Sequence, residues 1–328
     1  MSRVLVTGAQ GFIGQVLVRR LLQQGLAGRA VEGLTLMDLH FDAAPTDAPD
    51  LRDPPAPPDP RVHKVAGSIA DAAVLAAGCE GRLDAVFHLA SLPGGAAERD
   101  YALGRRVNLD ATLALLEALR AQPAPPRLVY ASSVAVYGAD LLEPVDECTP
   151  AAPALSYGAH KLVCETLVAD ASRRGWVQGC SLRLPGVVAR PGDGAGLMSA
   201  FMSQIFWKLA AGEPVTVPVS LAGQAWWISA PTCVDNLLLA AAIDPAALGS
   251  HRTHLMPVLH LSVGEVVAAL ARRFGADRTA LVHCHPDPAV ERLFARYPPL
   301  HTPRARALGF RDDGTVDQLV TLALGGDR

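Results

Sequence analysis

Short apolar runs rich in β-branched residues alternate along the first half of the chain with stretches whose apolar positions recur every three or four residues. That pattern predicts strands alternating with helices, hence an α/β protein with a parallel sheet. Val4-Leu5-Val6-Thr7 is the first run; Gly8-Ala9-Gln10-Gly11-Phe12-Ile13-Gly14 follows, and Val16 to Gln24 has helical spacing. Further runs are Gly33 to Met37 ending at Asp38, Arg61 to Ala66 ending at Gly67-Ser68-Ile69, and Asp84 to Ser91. Arg127 to Ala131 delivers Ser132-Ser133 at its end, and Ser181 to Leu184 closes the series. Long periodic helices are expected from Asn108 to Arg120, ended by Pro123-Ala124-Pro125-Pro126, and from Ser156 to Arg174.

Beyond Leu184 the alternation weakens. Arg190-Pro191-Gly192-Asp193-Gly194 reads as a loop, and Leu197 to Ala211 as a helix crowded with Met198, Phe201, Met202, Phe206 and Trp207. A strand at Pro214 to Val219 precedes Trp226-Trp227-Ile228. Leu261 to Glu265 reads as the capped start of a helix running to Phe274, and Asp287 to Tyr297 as a shorter helix. The pattern therefore divides into a first domain over 1–182 and a smaller α/β lobe over 183–328, with about 226–245 returning to the first domain. Ala43 to Pro60, dominated by Pro, Asp and Ala, reads as an exposed semi-rigid loop inside the first domain.

Composition narrows the class. The chain has 328 residues, half of them hydrophobic, which supports a substantial core. A net charge of −3 and a pI near 6.4 give no electrostatic reason to expect nucleic acid or an anionic membrane surface. No signal peptide or spanning helix is legible, so a cytoplasmic protein is expected. Six cysteines scattered without paired spacing suit reduced thiols better than disulfides or zinc. His283-Cys284-His285 reads as a strand end with both histidines on one face, and no metal is expected.

The chemistry lies at the strand ends. Strand, glycine turn and helix is the context in which Gly8, Gly11 and Gly14 admit a dinucleotide. Gly8 makes the tight turn, Gly11 lets the backbone approach a pyrophosphate, and Gly14 allows close helix–strand packing. The helix N-terminus offers free N–H groups to the phosphates. Asp38, ending the next strand, accepts hydrogen bonds from ribose hydroxyls and repels a 2′-phosphate, which favours NAD over NADP. The adenine is expected near Ser68 and Ile69, and Ala90-Ser91 lets the backbone pass beneath the cofactor. Tyr157 and Lys161 stand four positions apart, one helical turn, on one face. A phenol with an ordinary pKa of about 10 is a poor base, and a lysine held close favours its phenolate. A serine nearby can hold the substrate oxygen while the proton moves. Interconversion of an alcohol and a ketone needs that trio and a hydride carrier. Because ligands of parallel sheets sit at strand C-termini, Gly11, Asp38, Ala90 and Ser133 all fall on one edge, within reach of the Tyr157 helix.

These motifs, with His88-Leu89-Ala90, Asn108, and Ser132-Ser133-Val134-Ala135-Val136-Tyr137-Gly138, resemble the extended short-chain dehydrogenase/reductases of the NAD-dependent epimerase/dehydratase superfamily. The C-terminal half is similar to the D-erythronate dehydrogenase group in Ser172-Arg173-Arg174-Gly175, Leu182-Arg183-Leu184-Pro185, Arg190-Pro191-Gly192, Asp287 to Arg292 and Arg306 to Phe310. The resemblance implies a Rossmann-type fold, NAD, and catalysis by Ser133, Tyr157 and Lys161, with Asn108 shaping the proton-relay region. It adds Gln10, Phe12, Ile13, Leu89, Asn108, Tyr157, Lys161 and Pro185 to the expected cofactor contacts. Ser132, Ser133, Tyr157, Gly94, Met198 and Trp227 become the expected substrate contacts, and a homodimer through the helices Asn108–Arg120 and Ser156–Arg174 is implied.

Two stretches depart from the erythronate group. Leu92 to Ala97 stands where that group tends to carry Ser-Gly-Glu, and Ser229-Ala230-Pro231-Thr232 where it tends to offer Ser-Pro-Arg, an arginine suited to a carboxylate. The sequence thus leaves open a sugar acid or a less polar hydroxy compound as substrate. An epimerase or dehydratase with tightly held NAD, and a non-catalytic NAD sensor, are the rival readings.

Overall fold

The computed structural model describes residues 2–41, 59–139, 141–192 and 197–325. Most of the loop expected at 43–60 lies outside the described residues, as do Asp193 and Gly194. Among the described residues, seven strands form one parallel sheet. Its spatial order is Thr253–Leu255, Gln178–Leu184, Arg127–Ser133, Ala85–His88, Ser2–Thr7, Val31–Asp38, Val62–Ala66. From Ser2–Thr7 the chain winds outwards through the next two strands, then crosses back and winds the other way from Ala85–His88. That reversal opens a crevice beyond the C-terminal ends of Ser2–Thr7 and Ala85–His88, where open α/β sheets bind ligands.

Helices cover both faces, which is why the strands read as unbroken apolar runs. Val4 and Val6 share one core with Leu17 and Leu21 of helix Phe12–Gln24 and Leu237 of helix Ala230–Ala242. Leu5 and Val86 point to the opposite face, with Leu115 and Leu119 of helix Ala111–Arg120 and Val168 of helix Ser156–Arg173. The helix expected from Asn108 begins differently: a π-helical segment, Arg106–Asp110, precedes the regular helix.

The smaller lobe has its own core. Helices Phe201–Ala211, Val263–Phe274 and Val316–Ala323 enclose Phe206, Trp227, Val266, Leu270 and Leu319. Ser262 and Glu265 cap Val263–Phe274 reciprocally. The Glu265 N–H donates to Ser262 Oγ at 3.1 Å, and the Ser262 N–H to the Glu265 carboxylate at 2.7 Å. Part of the 226–245 stretch packs with the first core, and a segment beyond it reaches the large sheet. Helix Ala230–Ala242 joins the first core and Thr253–Leu255 becomes the edge strand. Gln224–Ser229 instead lies in a three-stranded sheet with Gly186–Val188 and Leu259–Ser262. No helix among the described residues is long and apolar enough to cross a membrane.

Candidate active site

A cavity of about 530 Å³ runs along the C-terminal edge of the large sheet and is closed on the other side by residues of the smaller lobe. Its first half is made by the glycine turn. Gly8 has φ +71°, and a Cβ there would lie 2.7 Å from the Ala90 N. A Cβ at Gly14 would lie 2.2 Å from the Gly8 carbonyl oxygen, so only glycine lets the helix start this close to the strand. Gly11 caps helix Phe12–Gln24 with no side-chain bond, and its first turn carries no acid. The N–H groups there are left for an anion, and the donor set fits a diphosphate. Asp38 holds the far end: one oxygen accepts the Gln10 N–H at 2.8 Å and the other the Leu39 N–H at 2.7 Å. Phe12, Ile13, Ser68, Ile69, Leu89, Ala90, Ser91 and Pro185 line the same cavity.

The second half holds the polar trio. Lys161 is buried, and its Nζ donates to the Ala131 carbonyl at 2.7 Å while lying 5.5 Å from the centre of the Tyr157 ring. Tyr157 and Ser133 both line the cavity. Ser133 Oγ accepts the Ala135 N–H at 3.1 Å, leaving its own O–H to donate to a ligand. Two features set the spacing between them. The Ser156 N–H at the start of the helix donates to Glu98 Oε1. A Cβ at Gly158 would lie 2.3 Å from the Ala135 carbonyl oxygen, so glycine lets the helix press against the turn that follows Ser133.

The two serines differ in what they can do. Ser132 Oγ donates to Glu165 Oε1 at 2.5 Å. The Glu165 carboxylate also takes a two-pronged pair from Arg183, at 2.9 and 2.7 Å, and Arg183 reaches the Tyr137 hydroxyl at 2.7 Å. Ser132 therefore lines the cavity with its hydroxyl committed elsewhere. Strand alternation could have revealed Arg183, since it points opposite to the buried Leu182 and Leu184.

Two expected site residues are not brought to the cavity. Asn108 is buried in the π-helical segment and spends its amide on one residue, accepting the Leu92 N–H at 2.7 Å and donating to the Leu92 carbonyl at 3.0 Å. It positions the strand-to-helix passage beside Pro93 and Gly94, which do line the cavity. Trp227 is wholly buried in the lobe core, its Nε1 donating to the Leu261 carbonyl at 2.9 Å. Successive strand residues face opposite ways, so its neighbour Trp226 lines the cavity instead, stacked on Tyr297 with ring centres 4.5 Å apart. Met198 and Gly94 line the cavity, as expected from the sequence.

Behind the sheet edge a neutral histidine ties the halves together. Thr112 Oγ1 donates to the Asn108 carbonyl at 2.9 Å, so at 2.9 Å from His88 Nε2 it accepts the imidazole N–H. His88 Nδ1 then accepts from Thr7 Oγ1 at 2.7 Å, and Thr7 Oγ1 accepts the Ala90 N–H at 3.3 Å. Burial, with the nearby Lys161 charge, pushes the His88 pKa down to about 3.

The glycine turn and Asp38 offer the N–H groups and the carboxylate that suit a dinucleotide; the phenol, ammonium and hydroxyl across from them are groups able to move a proton. Together they define a nicotinamide-dependent oxidoreductase. The sequence model of the NAD dependent epimerase/dehydratase family matches residues 4–246, and the chain belongs to that family, with NAD as its cofactor. It is 37% identical over 323 residues to a D-erythronate dehydrogenase of Cupriavidus necator, spanning 97% of this chain and 96% of that protein. A D-erythronate dehydrogenase of Haemophilus influenzae is 30% identical over 319 residues, spanning 97% of each. The crystal structure of the nucleoside-diphosphate-sugar epimerase from Agrobacterium tumefaciens superposes with a TM-score of 0.89 at 32% identity, over 99% of this chain and 95% of that one.

Proposed function

We propose that this protein is an NAD-dependent dehydrogenase that oxidises a secondary hydroxyl of a small sugar acid, D-erythronate or a near relative. The observation that carries the reading is the meeting of Tyr157, Lys161 and Ser133 across one cavity from the glycine turn. Full-length similarity to two D-erythronate dehydrogenases supports the substrate class.

In this reading the Tyr157 oxygen takes the proton of the substrate hydroxyl, and Ser133 steadies the same oxygen by donating a hydrogen bond. Lys161, fixed by the Ala131 carbonyl, keeps a positive charge beside the phenol and has two further N–H donors for the nicotinamide ribose. When bound, the nicotinamide supplies the hydride acceptor. The turn at Gly8, Gly11 and Gly14 would hold the diphosphate, Asp38 the adenosine ribose, and Ser68 and Ile69 the adenine. Asn108 acts as a positioning residue through Leu92.

The test is NADH formation from NAD across a panel of sugar acids including D-erythronate, beside apolar secondary alcohols. Turnover confined to sugar acids supports the reading; turnover confined to the apolar alcohols rejects it. A second reading, an epimerase with tightly held cofactor, has the Agrobacterium structure in its favour. Purified protein that carries bound NAD and yields no net NADH would select it.

A homodimer through helices Ala111–Arg120 and Ser156–Arg173 is part of the proposal. Leu113 and Val163, on those helices, are 41% and 44% exposed, apolar area suited to a partner. Sedimentation velocity checks it. Free thiols at all six cysteines support a reducing cytoplasm as the compartment.

A further inference from the structure

Arg190 has no task in the scheme above. Among the described residues it is the only arginine lining the cavity, two positions after strand Gly186–Val188. Its main chain is fixed from helix Phe201–Ala211 on two counts. The Arg190 N–H donates to Ser203 Oγ at 2.9 Å, and its carbonyl accepts from Trp207 Nε1 at 2.8 Å. The guanidinium lies over the Phe12 ring, Cζ 5.3 Å from the ring centre. Burial pushes its pKa down, and among the described residues the opposing influence comes from the phenol of Tyr157. The other half-buried guanidinium near the site, Arg183, is by contrast matched to Glu165. Half-buried, and with no hydrogen-bond or ion-pair partner for its planar fork among the described residues, the Arg190 guanidinium suits an anionic acceptor.

We propose that Arg190 binds the carboxylate of the substrate and so sets the adjoining hydroxyl toward Tyr157 and Ser133. The inference rests on the sugar-acid reading. The cavity offers two anions a place, the cofactor diphosphate and the substrate carboxylate, and the two are provided for unequally. The diphosphate already has the uncapped N–H groups of helix Phe12–Gln24. Lys161, the other cation among the described lining residues, donates to the Ala131 carbonyl and serves the Tyr157 phenol and the nicotinamide ribose in the scheme above. That leaves Arg190 for the carboxylate. Pro231, where the erythronate group's arginine would stand, lines a smaller hollow of about 310 Å³ that shares Gln10, Gly11, Phe12 and Arg190 with the main cavity, so Arg190 supplies a cation on that same side.

Arg190→Gln and Arg190→Lys test this by steady-state kinetics with D-erythronate and with its uncharged amide, alongside NAD affinity by fluorescence titration. Arg190→Gln should raise KM for the acid on the order of 10- to 100-fold, the range for a lost hydrogen bond between charged groups. NAD affinity and turnover of the amide should stay near those of the unmodified enzyme. Arg190→Lys restores the charge without the fork and should recover part of the loss. An unchanged KM for the acid, or a fall in NAD affinity matching the rise in KM, would overturn the assignment, the latter giving Arg190 to the diphosphate. Inactivity of the unmodified enzyme on every sugar acid would overturn the sugar-acid reading and this inference together. An active enzyme with an indifferent Arg190→Gln overturns only the inference.

Discussion

In the proposed reading the cofactor side of the cavity is made largely of backbone, and the substrate side of side chains that meet from far apart in the chain. Gly8, Gly11 and Gly14 act by lacking a Cβ, within one turn between one strand and one helix. Tyr157, Ser133, Arg190, Met198 and Trp226 reach the same cavity from four separate segments, each with its own support. The first arrangement is local and tolerates little variation. The second is assembled by tertiary packing, and its specificity can change while the fold stays the same.

If this contrast holds, substitutions on the two sides should fail in different ways. The largest effect on stability is expected at Trp227. Trp227→Ala should destabilise the fold by about 3–5 kcal/mol, as for other buried large-to-Ala changes, read as a lowered midpoint in urea. Trp226→Leu, one residue away, should instead act mainly on KM for substrate. Gly158→Ala comes next. With 2.3 Å to the Ala135 carbonyl it must push the start of the Tyr157 helix away from Ser133. A displacement near 1 Å costs kcat about 10²-fold, and NAD affinity should be little changed.

Gly14→Ala should show the reverse pattern. Its Cβ would crowd the Gly8 carbonyl, overpacking that costs about 1–3 kcal/mol of stability, and isothermal titration should find NAD binding weakened. Met198→Ala should leave NAD binding alone and shift substrate preference. Should both glycine changes spare NAD affinity, or both abolish it, the contrast fails.

A pH dependence lies outside the cavity contrast and is absent near neutral pH. His88 is held near pKa 3 in the fold against about 6.5 unfolded, so between those values the unfolded chain binds the extra proton. Stability should therefore rise with pH across that window and fall on acidification, by a few kcal/mol at most for this group. His88→Gln should flatten the slope of unfolding free energy between pH 3 and 6.5, and an unchanged slope would exclude His88 as its source.

Legibility in the sequence follows the same division. The parallel sheet, the glycine turn, Asp38 and the Tyr157–Lys161 helix are encoded in short-range patterns, so each could be read from a few neighbouring residues. Ser133 was separable from Ser132 only by family resemblance; in the structure Glu165, 33 positions away, engages Ser132 and leaves Ser133 for the proposed role. Asn108 could not be recognised as a backbone clamp, because the π-helical turn that buries it has no simple signature. Trp226 and Trp227 could be assigned to opposite faces, but which face met the cavity depended on how Gln224–Ser229 pairs with Gly186–Val188. Arg190 was visible only as part of a loop motif.

The most direct measurement of the account is a comparison of the unmodified enzyme with Tyr157→Phe, reading NADH formation from D-erythronate and NAD affinity side by side. Removing one hydroxyl from an intact cavity should lower kcat by about 10²- to 10⁴-fold, the range for loss of a general acid–base, with NAD affinity essentially unchanged. Turnover that survives the substitution, or NAD affinity that collapses with it, would contradict the role given to Tyr157 and with it the division between the two sides of the cavity.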